Sequence, residues 1–287
     1  MAFPNPISRK EFLKTGALAL TLPLLSRNIS FAKPPKDIGL QLYTLRALMA
    51  KEPKETLKKV ADIGYTELET FGYADGKYFG MAPKEFKTYL SSLGMNTPSG
   101  HYMPDQLKNG WSQIVDDAAE AGQKYMVCAF IMPNERTLDN YKKFVDLFNQ
   151  SGETCKKAGI QFAYHNHDFE FQTVDGQIPY DMILKGTDPK LVKMELDLYW
   201  ASFAKQDPVA LFKQNPGRFP LVHMKDMAKT EKREFAEVGM GSIDFQRILD
   251  AGKTAGLKHL FVEQDVTKQP PLEAIAISYA NMKKLNV

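Results

Sequence analysis

Cysteine is scarce: Cys128 and Cys155 are the two in a chain of 287 residues. Their spacing makes neither a CxxC nor a zinc-ligand pattern. Cys128 stands in an apolar run and reads as a small buried hydrophobe; the pair could bridge only in a fold that brought them together. Glycine-rich phosphate loops are also missing. Neither GxGxxG nor GxxxxGK follows an apolar run, so the nucleotide cradle of a doubly wound sheet has no sequence support. Charge of one sign is not in excess. The formal net charge is +3, and the basic residues are scattered. No basic stripe carries interleaved aromatics, so nucleic acid is not an expected partner. No apolar run reaches the roughly 20 residues that a membrane span needs. The remaining composition is that of an ordinary soluble protein, with length for one large domain or two small ones.

What is present begins with the N-terminal segment. Ser8-Arg9-Lys10-Glu11-Phe12-Leu13-Lys14 precedes an apolar stretch from Gly16 to Leu25. A basic region followed by a short apolar one reads as an export signal. It resembles a twin-arginine (Tat) signal, with Lys10 in place of the second arginine. Ser30-Phe31-Ala32 has the small-x-small form of a cleavage site, and no cysteine follows the apolar stretch to carry a lipid. The expectation is an export signal over residues 1–32, a folded domain over 33–287, and a periplasmic location. An amphipathic helix that stays on the protein is the alternative.

From Lys36 onward, short apolar runs alternate with longer amphipathic ones. Asp37–Tyr43, Tyr65–Phe71, Met95–Tyr102 and Lys124–Phe130 read as the first four strands. A fifth runs from Ile160 into Tyr164-His165-Asn166-His167. Leu191–Asp197, Phe219–Asp226 and Leu260–Glu263 read as the last three. Between them lie helical patterns such as Pro53 to Ile63, with proline at the start and Gly64 just past the end. Eight strand–helix units in about 250 residues point to an α/β fold, a (β/α)8 TIM barrel. Gly239-Met240-Gly241-Ser242 precedes a helix without a nucleotide motif and reads as a loop on one rim.

The densest chemistry is Tyr164-His165-Asn166-His167-Asp168-Phe169-Glu170. Histidines at i and i+2 on a strand share a face. Imidazole and carboxylate together suit a divalent ion. A polar strand end with surface histidines is the plain alternative. Other strand ends shift the balance, because the carboxyl ends of barrel strands form the active face. Gln41, Tyr43 and Arg46 end the first strand, Glu69 the second and His101 the third. Asp197 ends the sixth, His223 and Lys225 the seventh, and Glu263 the eighth, with Asp265 just beyond. Tyr43, Arg46, Glu69 and His101 are candidate substrate-binding residues.

Gly39–Arg46, Tyr164–Phe171, Glu195-Leu196-Asp197, His223-Met224-Lys225-Asp226 and Gly239–Phe245 together resemble the xylose isomerase-like TIM barrel superfamily of sugar phosphate isomerases/epimerases. That superfamily includes ketose 3-epimerases, hydroxypyruvate isomerase, inosose dehydratase and an endonuclease branch. The resemblance implies one divalent metal, Mn²⁺ first, with Co²⁺, Zn²⁺ or Mg²⁺ as alternatives. Asp197, His223 and Glu263 match its ligands on strands six to eight. Strand five departs from the pattern: His165 stands where the epimerases have glutamate, and Glu170 lies one turn later. Either could ligate the metal, so the expected set is Glu170, Asp197, His223 and Glu263, with His165 the alternative ligand from strand five. The expected catalytic groups are His165, His167, Glu263 and Lys225.

The implied function is a sugar isomerase or epimerase. A base removes the proton beside a carbonyl, and the resulting enediolate is held by the metal and by Lys225 or His101. Elimination from a keto-sugar or keto-glycoside is the alternative reaction of the same site. A non-catalytic carbohydrate-binding barrel would lack the metal set. An endonuclease barrel would need a basic groove and more than the five histidines here. The expected partner is a small-molecule sugar, with no membrane anchor; homo-oligomerisation is left open.

Overall fold

The structure, a computed structural model, describes residues 37–286. The export segment read over residues 1–32 lies outside the described residues. Eight parallel strands close into a barrel in the order β1-β10-β7-β6-β5-β4-β3-β2. They are β1 Gly39–Gln41, β2 Glu67–Thr70, β3 Asn96–Tyr102, β4 Tyr125–Cys128, β5 Gln161–His165, β6 Val192–Asp197, β7 Leu221–Met224 and β10 His259–Val262. Helices on the outer face connect them, so the expected (β/α)8 barrel is the observed one. Among the described residues, no helix is long and apolar enough to cross a membrane. Both cysteines are buried and free.

Local chemistry sets the helix ends. Pro53 opens the helix Pro53–Ile63, where its missing N–H costs no intrahelical bond. Gly64 closes it at a φ of 117°, a left-handed conformation that favours glycine. Trp111–Ala121 stops in the same way at Gly122, with a φ of 95°.

Side chains alternate along each strand, and this alternation builds the barrel interior in layers. Val127, Ala163, Leu221 and Phe261 form a small apolar cluster of their own. Ala163 stands two residues before His165, Leu221 two before His223, and Phe261 two before Glu263. The alternation that puts the apolar plug on the barrel axis therefore puts the polar residues directly above it. A larger apolar layer, which includes Leu40, Leu68, Phe162 and Met194, fills the space between strands and helices.

Strand seven is shorter than the sequence reading to Asp226, because the Asp226 side chain ends it. Its carboxylate accepts the backbone N–H groups of Met227, Gly239, Gly241 and Ile243, at 2.7–3.2 Å. These bonds turn the chain into an antiparallel ribbon of β8 Asp226–Met227 and β9 Phe235–Ala236. A Cβ on Gly241 would come within 2.2 Å of Asp226 Oδ1, so the approach requires glycine. The glycine-rich rim loop is thereby fastened to the end of β7.

Candidate metal centre

The carboxyl ends of β5, β6, β7 and β10 bring His165, Asp197, His223 and Glu263 together. One ligand atom from each lies within 4.8 Å of the others. Asp197 divides its two oxygens. Oδ1 accepts the Trp200 N–H at 2.9 Å and caps the helix Leu198–Phe203. Oδ2 faces the site, 3.4 Å from His165 Nε2 and 3.7 Å from His223 Nδ1. His165 is oriented by its other nitrogen, Nδ1, at 3.1 Å from the Ala129 carbonyl. Asn166 accepts the Asp197 backbone N–H at 3.1 Å, which ties the end of β5 to the end of β6.

His223 gives the best test of whether a cation fits. Its Nδ1 is 2.8 Å from Glu263 Oε2. Yet this buried nitrogen makes no geometrically sound hydrogen bond among the described residues. The nitrogen and the carboxylate oxygens converge on a common space and are not aligned to bond each other. Two imidazoles and two carboxylates are a donor set for a divalent first-row ion. The residues fit such an ion.

A second group lies on the other side of His223: Glu69, His101 and Glu195. His101 Nε2 is 2.7 Å from Glu195 Oε2 and 3.2 Å from Glu69 Oε2. Lys225 closes the first group from the outside. Its ammonium lies 2.9 Å from Asp197 Oδ2, 2.7 Å from Glu263 Oε2 and 3.1 Å from Asp265 Oδ1.

The electrostatics follow from these neighbours. Burial opposes the Lys225 charge, but Asp197, Asp265 and Glu263 outweigh it and hold the pKa well above the usual lysine value. Burial likewise opposes charge on His101, and Glu69 and Glu195 overcome it, raising His101 to about 9. Burial and then Glu69 push the Glu195 carboxyl up to about 7. His165 moves the other way, to about 4, through burial and the neighbouring His223, so its ring is neutral and able to bind metal. Burial and His165 also hold His167 well below the usual imidazole value.

Above the centre opens a cavity of about 840 Å³. Tyr43, Arg46, His101, His165, His167, Lys225 and Glu263 all line it. Arg46 lies over the Tyr43 ring, 4.5 Å from its centroid. Asp197 and His223 are fully buried just beneath. Two residues named from sequence are placed elsewhere. Glu69 does not line this cavity; it is fully buried, with its carboxylate engaged by Gln41, Ser99 and His223. Glu170 joins neither ligand group. The turn Phe169–Phe171 carries it away, and its carboxylate accepts the Tyr164 hydroxyl at 2.5 Å and the His167 N–H at 2.8 Å.

Glu195 was missed in the sequence. Its signal was available: it precedes Asp197 by two residues on one strand, the spacing that singled out His165 and His167.

Glu170 gives a test of this placement. Burial raises its carboxyl from 4.5 to about 7. The folded state then holds its proton more tightly than the unfolded state. Stability is fullest below about pH 4.5 and falls as pH rises through 7, by about 3 kcal/mol at most. Glu170→Gln is expected to flatten the urea-stability profile between those pH values and to leave metal binding unchanged. A loss of metal affinity would return Glu170 to the ligand set.

An eight-stranded parallel barrel with imidazoles and carboxylates gathered at the carboxyl ends of its strands defines a (β/α)8 barrel of the kind that builds sites from strand ends. The chain belongs to the xylose isomerase-like TIM barrel family, whose profile matches residues 57–285. A crystal structure of a sugar phosphate isomerase/epimerase from Parabacteroides distasonis is 30% identical, with a TM-score of 0.77, over 90% of this chain and 97% of that one. The inosose dehydratase of Lactiplantibacillus plantarum is 29% identical over 47% of this chain and 51% of its own length. The chain thus spans about half the length of the curated relatives it matches. A zinc-bound IolI protein shares the fold at 16% identity and a TM-score of 0.70, over 86% of this chain and 97% of that one.

Proposed function

We propose that this protein is a divalent-metal-dependent enzyme that moves a proton beside the carbonyl of a sugar or keto-sugar, as an isomerase or epimerase. The observation that carries this reading is the convergence of His165, Asp197, His223 and Glu263, with His223 Nδ1 left unpartnered. Those four residues would hold the metal. When bound, it would polarise the carbonyl and a neighbouring hydroxyl of the substrate. His167, neutral on the cavity wall, accepts the proton from carbon. Lys225 offers a fixed positive charge to the oxygen that becomes negative. Tyr43 and Arg46 orient the sugar at the rim. The zinc in the IolI protein supports a metal here, with Mn²⁺, Co²⁺, Zn²⁺ and Mg²⁺ all compatible with the donors.

Elimination is the second reading, and His101 favours it. It is a second acid–base group on the same cavity, charged where His167 is neutral. After His167 takes the carbon-bound proton, the bond from the adjacent carbon to oxygen breaks, and His101 protonates the departing oxygen. The dehydratase names among the relatives agree with this sequence of events.

The deciding experiment incubates Mn²⁺-loaded protein with keto-sugars and keto-glycosides in D₂O. NMR is expected to show solvent deuterium at one carbon. Epimer or isomer formation supports the first reading and an unsaturated product the second. No exchange with any substrate would count against both.

Export is part of the proposal. The Arg9-Lys10 motif and the apolar stretch after it motivate a mature protein beginning near Lys33. N-terminal sequencing of protein from the native cell envelope is expected to start there; a start at Met1 or Ala2 argues for retention.

A further inference from the structure

We infer that Glu69 is a positioning residue. It locks the His223 ring so that Nδ1 serves as the ligand, and the group Glu69–His101–Glu195–His223 supports a single metal centre and does not hold a second cation. This inference rests on the metal set proposed above.

The two nitrogens of His223 face different surroundings. Nε2 is 2.6 Å from Glu69 Oε2, a short hydrogen bond to a fully buried carboxylate. Nδ1 faces Glu263 and Asp197 and has no hydrogen-bond partner among the described residues. A neutral imidazole carries one proton, and the bond made by one nitrogen decides which nitrogen is free to ligate. In the metal-bound state, with the proton on Nε2 and aimed at Glu69, the Nδ1 lone pair would point into the ligand set.

Glu69 is itself held rigidly. Gln41 Nε2 donates to Oε2 at 2.8 Å, and Ser99 Oγ donates to Oε1 at 2.5 Å. Its donors therefore come from β1, β3 and β7, and Glu69 stands on β2. A carboxylate with this many fixed donors has little freedom to swing into a cation's coordination sphere.

The bonding argues against a cation inside this second group. Glu69 Oε2 with His223 Nε2, at 2.6 Å, and His101 Nε2 with Glu195 Oε2, at 2.7 Å, are hydrogen bonds, whereas His223 Nδ1 in the first group stands 2.8 Å from Glu263 Oε2 without making one. Two cations would also have to share His223 with both of its nitrogens deprotonated.

The test uses the full chain freed of metal by chelation and titrated with Zn²⁺ by calorimetry against a competing chelator. Wild-type protein is expected to bind one Zn²⁺ per chain. Glu69→Gln, which keeps the shape but loses the charge, is expected to bind 10- to 100-fold more weakly, measured at a temperature where the variant is fully folded. A merely structural role would lower the transition and leave the affinity in place. The Zn²⁺-loaded wild type gives an independent reading that needs no variant. Nitrogen-15 NMR of its histidines should show His223 with metal on Nδ1 and a hydrogen-bonded proton on Nε2. Unchanged affinity in Glu69→Gln, two Zn²⁺ per chain, or a proton on Nδ1 would each overturn the inference. Wild-type protein that takes up no metal would overturn the metal set itself, and this inference with it.

Discussion

Asp197→Ala and His223→Ala are each expected to abolish tight metal binding and turnover while the barrel stays folded. Each removes a donor from a set of four, and the remaining strong donors are too few to hold a labile divalent ion. A bound cation supplies several kcal/mol to a transition state that develops oxyanion charge, so turnover should fall on the order of 10³-fold or more. The barrel survives because its apolar plug and helix layer lie outside the centre. The two variants differ in their side effects. Asp197→Ala also removes the cap on Leu198–Phe203, at about 1 kcal/mol. Asp197→Asn keeps an oxygen for that cap and replaces only the site-facing atom. It should lose metal with a smaller drop in stability than the alanine variant. His223→Ala leaves Glu69, Glu195 and Glu263 without a shared imidazole, so its thermal transition should fall further. Metal content by mass spectrometry on purified protein checks all three. Full occupancy in any one removes that residue from the ligand set.

The fold was legible in the sequence because its elements are bounded by single residues with strong backbone preferences. Pro53 and Gly64 bracket a helix that the structure reproduces residue for residue. Strand ends were less legible. Asp226 ended β7 through bonds to residues 239–243, and nothing local in Val222–Asp226 announces those partners. The site shows the same limit. Asp197, His223 and Glu263 could be found because each closes an apolar strand run, and a parallel barrel gathers such ends at one mouth. Of the two strand-five alternatives, His165 converges with Asp197, His223 and Glu263, and Glu170 does not, because nearness in the chain is not nearness in space. One 3-10 turn after His167 reverses the direction of the side chains, and the carboxylate finds the Tyr164 hydroxyl instead. Glu69 was correctly placed at a strand end but one layer too deep to meet a substrate. Strand stagger decides that depth, and pairing such as Glu69 beside Ser99 is visible only in the folded sheet.

His167→Asn and His101→Asn are expected to retain metal and to lose turnover by about 10²–10⁴-fold, the usual scale of general acid–base catalysis. The two should fail at different steps. Burial against Phe130 and Phe169, with His165 and Lys225 near, keeps His167 neutral and able to accept a proton. His101, held by Glu69 and Glu195, carries a proton to give at neutral pH. Groups whose surroundings push their pKa values apart on one cavity divide the acid and base roles between them. His167→Asn should therefore lose deuterium exchange at the substrate carbon and product formation in step. If the reaction is an elimination, His101→Asn should keep exchange and lose product, because carbon deprotonation still occurs while the departing oxygen has no acid. If it is an epimerisation, exchange and product should fall together in His101→Asn as well. The ratio of exchange to product in this one variant thus separates the two reactions without knowledge of the natural sugar. Wild-type exchange and turnover in both variants would remove both histidines from proton transfer and leave Glu263, which faces the same cavity, as the base.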